Sequence, residues 1–216
     1  MMRLLIAVEG QTEERFVKDT LAPHLGERGV WAVPSIVETR PGFRGGVSTW
    51  HKVYTHIRKM GGDSNAWVTM LFDFYGFPTD TPGYDEAHQF DEPRQRVLHL
   101  QEAIKAAIDH PRMIPFLALH ELEAWLFCAP DPFADHFGQP QLAEQLRQVV
   151  MEAEEPERIN HGKKTHPKAQ LERIQPSYKE VADGATLLNK IGIGPIRAAC
   201  PHFAAWLERL EQLGHG

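Results

Sequence analysis

The chain has 216 residues, 42% of them hydrophobic and 24% charged, an ordinary globular composition with enough apolar residues for one sizeable core. Its formal net charge of −6 argues against a free-standing, high-affinity nucleic-acid binder, because nonspecific affinity comes from Lys and Arg neutralising phosphates. It does not exclude a nuclease, since cations bound at an acidic site restore positive charge locally.

Leu4 to Val8 is a short apolar run ended by Glu9-Gly10, which predicts a buried strand entering a tight turn. With only that run after Arg3, neither a signal peptide nor a membrane span is expected, and the chain reads as cytoplasmic. Thr12 is expected to cap a helix carrying Phe16, Val17, Leu21 and Leu25, which Pro23 should end or kink. A second strand fits within Trp31 to Val37. Arg40 to Gly46 reads as a flexible loop, and a helix is expected from about Ser48 to Met60. Trp67 to Asp73 is the clearest buried strand, followed by the turn-rich Phe74-Tyr75-Gly76-Phe77-Pro78. Pro93 opens a helix with Val97, Gln101, Ile104 and Ile108 on one face. Met113 to Leu119 reads as another strand, leading into a short helix over His120 to Phe127. Strand and helix therefore alternate over residues 1–130, which implies an α/β fold with a mostly parallel sheet and helices on both faces. Residues 131–216 read as a helical C-terminal extension packed on the same domain. In it Glu152 to Lys168 is charged and loop-like, while Phe203, Trp206, Leu207 and Leu210 mark a closing amphipathic helix. Cys128 and Cys200 lie far apart and belong to no CxxC or Cys/His pattern, so neither a disulfide framework nor structural zinc is expected and both read as reduced.

In open α/β sheets ligands gather beyond the carboxyl ends of the strands. Glu9, Asp73 and the Glu121/Glu123 pair all fall at or just after such ends. Hard cations such as Mg2+ favour carboxylate oxygens, and a pair of them can drive phosphodiester hydrolysis. Glu9 and Glu13 are the expected ligands from the first turn. Glu13 also has a dipole-based reason to sit at a helix N-terminus, and Asp73 has a turn-capping one. Glu121 and Glu123 are two apart, so on a helix at most one of them is expected to face the cation.

At these residues the sequence resembles the Toprim fold shared by topoisomerases, primases and the overcoming-lysogenisation-defect nucleases. Val8-Glu9-Gly10-Gln11-Thr12-Glu13 looks like the Toprim glutamate turn, and Leu71-Phe72-Asp73 like the start of its DxD element. More closely, Glu9-Gly10-Gln11-Thr12-Glu13, Asp73-Phe74-Tyr75-Gly76, His120-Glu121-Leu122-Glu123-Ala124 and Cys200-Pro201-His202-Phe203 with Trp206 resemble the bacterial DUF4276 family along almost the whole chain. The resemblance implies a Toprim-like α/β core over residues 1–130, metal-dependent phosphodiester chemistry with Mg2+ or Mn2+, and association with a separate ATPase in antiphage defence. A full DxD element would place an acid where this chain has Tyr75, so Glu13, Glu121, Glu123 or Asp80 must substitute if two cations bind.

Secondary signals are weaker. Arg40 and Arg44, with the glycines around them, offer groups that bind phosphate, against an ordinary flexible loop. Lys163, Lys164 and Lys168 beside His161 and His166 suggest a basic lid over nucleic acid, against a solvated loop. Ile191-Gly192-Ile193-Gly194-Pro195 resembles a helix-hairpin-helix turn, against a plain helix-helix turn. No HxxxH or HExxH pair is present, and His120 is the histidine placed to contact phosphate or water. The leading expectation is a Mg2+- or Mn2+-dependent nuclease subunit acting on DNA or RNA: Glu9 and Asp73 bind the cation, Glu13 and one of Glu121/Glu123 complete the shell, and Glu9 can also act as general acid or base. The alternatives are an inactive adaptor or sensor for the ATPase and a phosphoryl-transfer enzyme acting on small nucleotides. Self-association is left open.

Overall fold

The structure, a computed structural model, describes residues 1–40, 43–44, 49–159 and 164–215. Its main sheet has β1 (Met2–Val8) and β5 (Ala66–Asp73) at the centre, β2 (Val30–Ile36) beside β1, and the short β6 (Met113–Ile114) and β7 (Leu117–Ala118) beside β5. Every pairing in it is parallel, with Val8 opposite both Ile36 and Leu71 and Asp73 opposite Ala118.

The strands are apolar nearly throughout because both faces are covered. Leu4, Ile6 and Val8 of β1 and Leu71 of β5 join a cluster containing Phe16, Leu21, Leu146, Leu171, Phe203 and Trp206. Ala7 of β1 and Val68, Met70 and Phe72 of β5 point the other way, into a cluster with Val53 and Ile57 of helix Trp50–Met60 and Val97, Leu100, Ile104 and Ile108 of helix Pro93–Ile108. The α/β architecture with helices on both faces is therefore as the sequence predicts, and the helical C-terminal residues share a core with β1. Among the described residues no helix is long and apolar enough to cross a membrane.

Several local expectations are corrected. The first helix begins at Gln11, with Gly10 rather than Thr12 at its N-cap, and Thr12 is buried in the first turn. Pro23 neither ends nor breaks the helical run. Val17–Leu21 widens into a π turn, closed by Ala22 N–H donating to Val17 O, before the α-helix resumes over Ala22–Gly26; the wider turn accommodates a ring that cannot donate a hydrogen bond. Met113–Leu119 is split into β6 and β7 at Pro115-Phe116, because Pro115 has no N–H for the ladder. His120 is not helical: its φ is +69°, and the helical segment is a 3-10 helix over Leu122–Cys128 with Glu121 as its extended N-cap. Arg40 lies in β3 (Glu38–Arg40), which pairs antiparallel with β4 (Phe43–Arg44), so part of the expected loop is a small β-ladder.

The stretch from Glu152 is packed rather than loose as far as Ile159. Glu157 is fully buried, and its carboxylate accepts from His202 N–H (2.8 Å) and Phe203 N–H (3.0 Å) at the start of helix Pro201–Gln212. That helix is locked to the sheet by stacking of Phe116 with Trp206 (centroids 4.3 Å apart) and by Trp206 Nε1 donating to Thr69 Oγ1 (3.0 Å). The Cys200-Pro201-His202-Phe203 motif is thus a structural anchor. His202 Nε2 donates to Leu117 O (3.0 Å), fixing the short strand that leads to the acidic segment. Ile191-Gly192-Ile193 is a turn between helices Ala185–Ile191 and Ile193–Ala199.

Candidate functional site

The register that aligns Val8 with Leu71 brings the residues following β1 and ending β5 to the same edge of the sheet. Glu9 leaves β1 there, partly buried, and Asp73 is the last residue of β5. Phe74 N–H donates to Ala118 O (3.0 Å) and Tyr75 N–H to His120 O (2.8 Å), so the segment carrying Glu121 continues alongside β5 past the end of its ladder. Parallel pairing thereby delivers acids distant in sequence to one place.

Each acid is held by specific donors. Glu13 Oε2 accepts from Gly10 N–H (2.9 Å), and a Cβ at position 10 would stand 3.2 Å from that oxygen. Asp73 Oδ1 accepts from Leu122 N–H (2.9 Å). Glu121 Oε2 accepts from His166 Nδ1 and from Lys168 N–H, both at 2.9 Å. The expectation that only one of Glu121 and Glu123 turns inward is overturned: they are 6% and 4% exposed. Glu121 precedes the 3-10 helix in extended backbone, so the helical spacing argument does not apply to the pair.

Burial raises the Asp73 pKa well above the usual carboxylate value, and the charges of Glu13, Glu123, Glu9 and Glu121 raise it further, in that order. The other four predicted acids therefore all act on Asp73. Burial, then Glu180 and Glu121, push Glu123 up to about 8. Burial also raises Glu13, against the lowering effect of the backbone N–H groups of Glu13 and Gly10. Glu180 is a sixth acid that no local pattern singles out; its Oε2 lies 2.5 Å from Lys168 Nζ. Burial pulls the Lys168 ammonium down, but Glu180 outweighs it and holds its pKa above the ordinary value.

Among the described residues, three buried oxygens at this centre, Thr12 Oγ1, Glu123 Oε1 and Tyr178 Oη, have no hydrogen-bond partner. Burial and then the Glu123 charge raise the Tyr178 hydroxyl. A buried polar atom without a partner costs about 1–3 kcal/mol, and a carboxylate cluster with an unfilled oxygen suits a hard divalent cation. The donor chemistry therefore fits Mg2+ or Mn2+. Among the described residues no three His, Cys, Asp or Glu side chains already form a ligating group, so a cation would have to draw these carboxylates inward.

The other predicted residues fall differently. His120 is buried in left-handed backbone beside the acids. Asp80 Oδ1 accepts from Trp50 N–H (2.8 Å), capping helix Trp50–Met60, and is not among the charges acting most strongly on Asp73. Lys168 turns to Glu180 rather than outward, Lys164 is exposed, and Lys163 lies outside the described residues. For Arg40 and Arg44 only the backbone is described. His166, named in sequence only as part of a basic lid, stacks on Tyr75 and bonds Glu121. A cavity of about 230 Å3 lined by Ile57, Gly61, Val68, Ile108 and Met113 lies nearer the opposite end of β5 and holds none of the acids; charge, not concavity, marks this site.

The profile of the family described as "Domain of unknown function (DUF4276)" matches residues 8–211. No curated protein matches the chain. Solved structures of the C-terminal region of the Xanthomonas campestris pv. campestris OLD protein are similar to it. The platinum-phased one is 18% identical, with a TM-score of 0.43, covering 100% of this chain and 98% of that one. The iodine-phased one is 16% identical, with a TM-score of 0.39, covering 100% and 99%.

Proposed function

The chain belongs to the DUF4276 family, and from that starting point we propose that it is a Toprim-like, Mg2+- or Mn2+-dependent nuclease subunit that hydrolyses phosphodiesters of DNA or RNA and works with a separate ATPase in antiphage defence. The observation that carries this reading is the convergence of Glu9, Glu13, Glu121 and Glu123 on the half-buried carboxyl of Asp73 at the carboxyl edge of two central parallel strands.

In this reading Glu9 and Asp73 hold the cation, with Glu13, Glu121 and Glu123 completing the shell. A cation held there would offset the clustered charge and supply Lewis acidity toward the phosphodiester. The chain's own groups fix the carboxylates beforehand: Gly10 N–H orients Glu13, Leu122 N–H orients Asp73, and His166 with Lys168 N–H orients Glu121. Such outer partners typically govern ligand geometry as strongly as the ligands themselves. Lys168 brings an ammonium to the same centre, where it can meet a phosphate oxygen.

The test is cleavage of DNA and of RNA with Mn2+, with and without the ATPase, by the wild type, Glu9→Ala and Asp73→Ala. Loss of cleavage in both variants is expected. Wild-type cleavage by both, when folded, overturns the assignment. Tyr75 in the second acidic position favours one other reading, an adaptor or sensor that binds the ATPase without chemistry; calorimetry showing no Mn2+ binding but intact partner binding would select it. Turnover of mononucleotides but not polymers would instead select phosphoryl transfer on small nucleotides.

A further inference from the structure

The chain's only two cysteines, Cys128 and Cys200, are 72 residues apart in sequence, yet their Sγ atoms stand 3.3 Å apart as free thiols. Cys128 ends the 3-10 helix that carries Glu123 and is partly exposed; Cys200 immediately precedes helix Pro201–Gln212 and is fully buried. A disulfide needs the sulfurs at about 2.05 Å, so a displacement of little more than about 1 Å joins them. A partly exposed thiol backed by a buried one is the arrangement in which an oxidised sulfur is captured by a resolving cysteine.

We propose that Cys128 and Cys200 are an oxidative modification site, forming a reversible disulfide with hydrogen peroxide as co-reactant. The Cys128 thiolate attacks one peroxide oxygen, the O–O bond breaks, and the departing oxygen leaves as water after taking up a proton. Cys128 is then a sulfenic acid. The Cys200 sulfur attacks the Cys128 sulfur, the S–O bond breaks, and a second water leaves with the Cys200 proton. The two sulfurs together lose two electrons, which the peroxide gains. Burial, and then the hydrogen bond with Cys128, push the Cys200 thiol up, so the more exposed Cys128 is the sulfur that meets the peroxide first. The crosslink ties the acid-bearing segment to the closing helix and encloses His166, Lys168 and Glu180 within one covalent loop.

The test uses the full chain, reduced, freed of reductant, treated with hydrogen peroxide, denatured in an alkylating reagent and weighed intact. Expected is an unalkylated chain lighter by two hydrogens, restored by dithiothreitol, with a melting temperature above that of the reduced protein. Cys128→Ser should leave Cys200 alkylated and the melting temperature unmoved by peroxide. Recovery of both cysteines as alkylated thiols overturns the proposal. So does Cys128 carrying two or three oxygens beside an alkylated Cys200, or a crosslink that joins two chains. The wild-type measurement decides even if a variant fails to fold.

Discussion

Tyr75 lies nearly flat on His166, ring centroids 4.9 Å apart and planes 18° apart, while His166 Nδ1 bonds the carboxylate of Glu121. Tyr75, whose position in the Toprim resemblance would carry a second acid, thus steadies a histidine that steadies an acid. An aromatic pair of this kind is worth about 0.5–1.5 kcal/mol. Tyr75→Ala is expected to lower stability by about 1 kcal/mol in denaturant titration and to reduce Mn2+-dependent cleavage, whereas Tyr75→Phe keeps both. Unchanged cleavage in a folded Tyr75→Ala would remove the stack from the positioning of Glu121.

Glu180 should matter through Lys168 and the acids it faces. Replacing a partner just outside a metal shell costs roughly 10–100-fold in affinity or activity. Glu180→Gln is therefore expected to weaken Mn2+ binding about tenfold or more by calorimetry, with little change in metal-free melting because the side chain is 38% exposed. Unaltered affinity would place Glu180 outside the centre.

Asp73 is a liability to the fold in the absence of a cation. Its folded pKa lies above its unfolded value, so the stability it contributes is complete below the unfolded value and is lost as pH rises through the folded one. Asp73→Asn keeps an oxygen for Leu122 N–H while removing the charge. In chelator at about pH 8 it should melt above the wild type. The gain should shrink as pH is lowered. A lower-melting variant at every pH would contradict the charge argument.

Glu157 and His202 set opposing limits on pH stability. Burial pushes Glu157 up to about 7, against the His202 and Phe203 N–H groups and Arg94; its contribution is full below the ordinary carboxylate value and lost as pH rises through about 7. Burial drives His202 down to about 4, so its contribution is full above the ordinary imidazole value and lost as pH falls through about 4. Glu157→Ala leaves two helix N–H groups without an acceptor and should cost roughly 2–4 kcal/mol near neutral pH. Thermal melts across pH should also show His202→Gln with a flatter acid limb than the wild type.

The parallel core, and the placing of Glu9 and Asp73 at the ends of its two central strands, were legible because their signals are local: apolar runs ended by acids, and Pro93 before a periodic helix. What escaped depends on contacts over long separations. His166 and Glu180 sit in charged stretches that look solvated, and only the docked C-terminal helices turn them toward Glu121 and Lys168. Glu157 looked like loop charge until a helix N-terminus needed an acceptor. The inward turn of both Glu121 and Glu123 was missed because helical spacing was assumed where His120 adopts left-handed backbone. The meeting of Cys128 and Cys200 leaves no trace in their spacing.

The hydrogen bonds to Glu121 come from residues 45 and 47 positions further along the chain, which gives the protein an order of assembly. During synthesis, Glu9, Asp73 and Glu121 emerge and can join a growing sheet well before His166, Lys168 and Glu180 leave the ribosome. A chain that ends before them therefore lacks the donors that hold Glu121, and the centre proposed here is complete only in a molecule that has folded through Glu180.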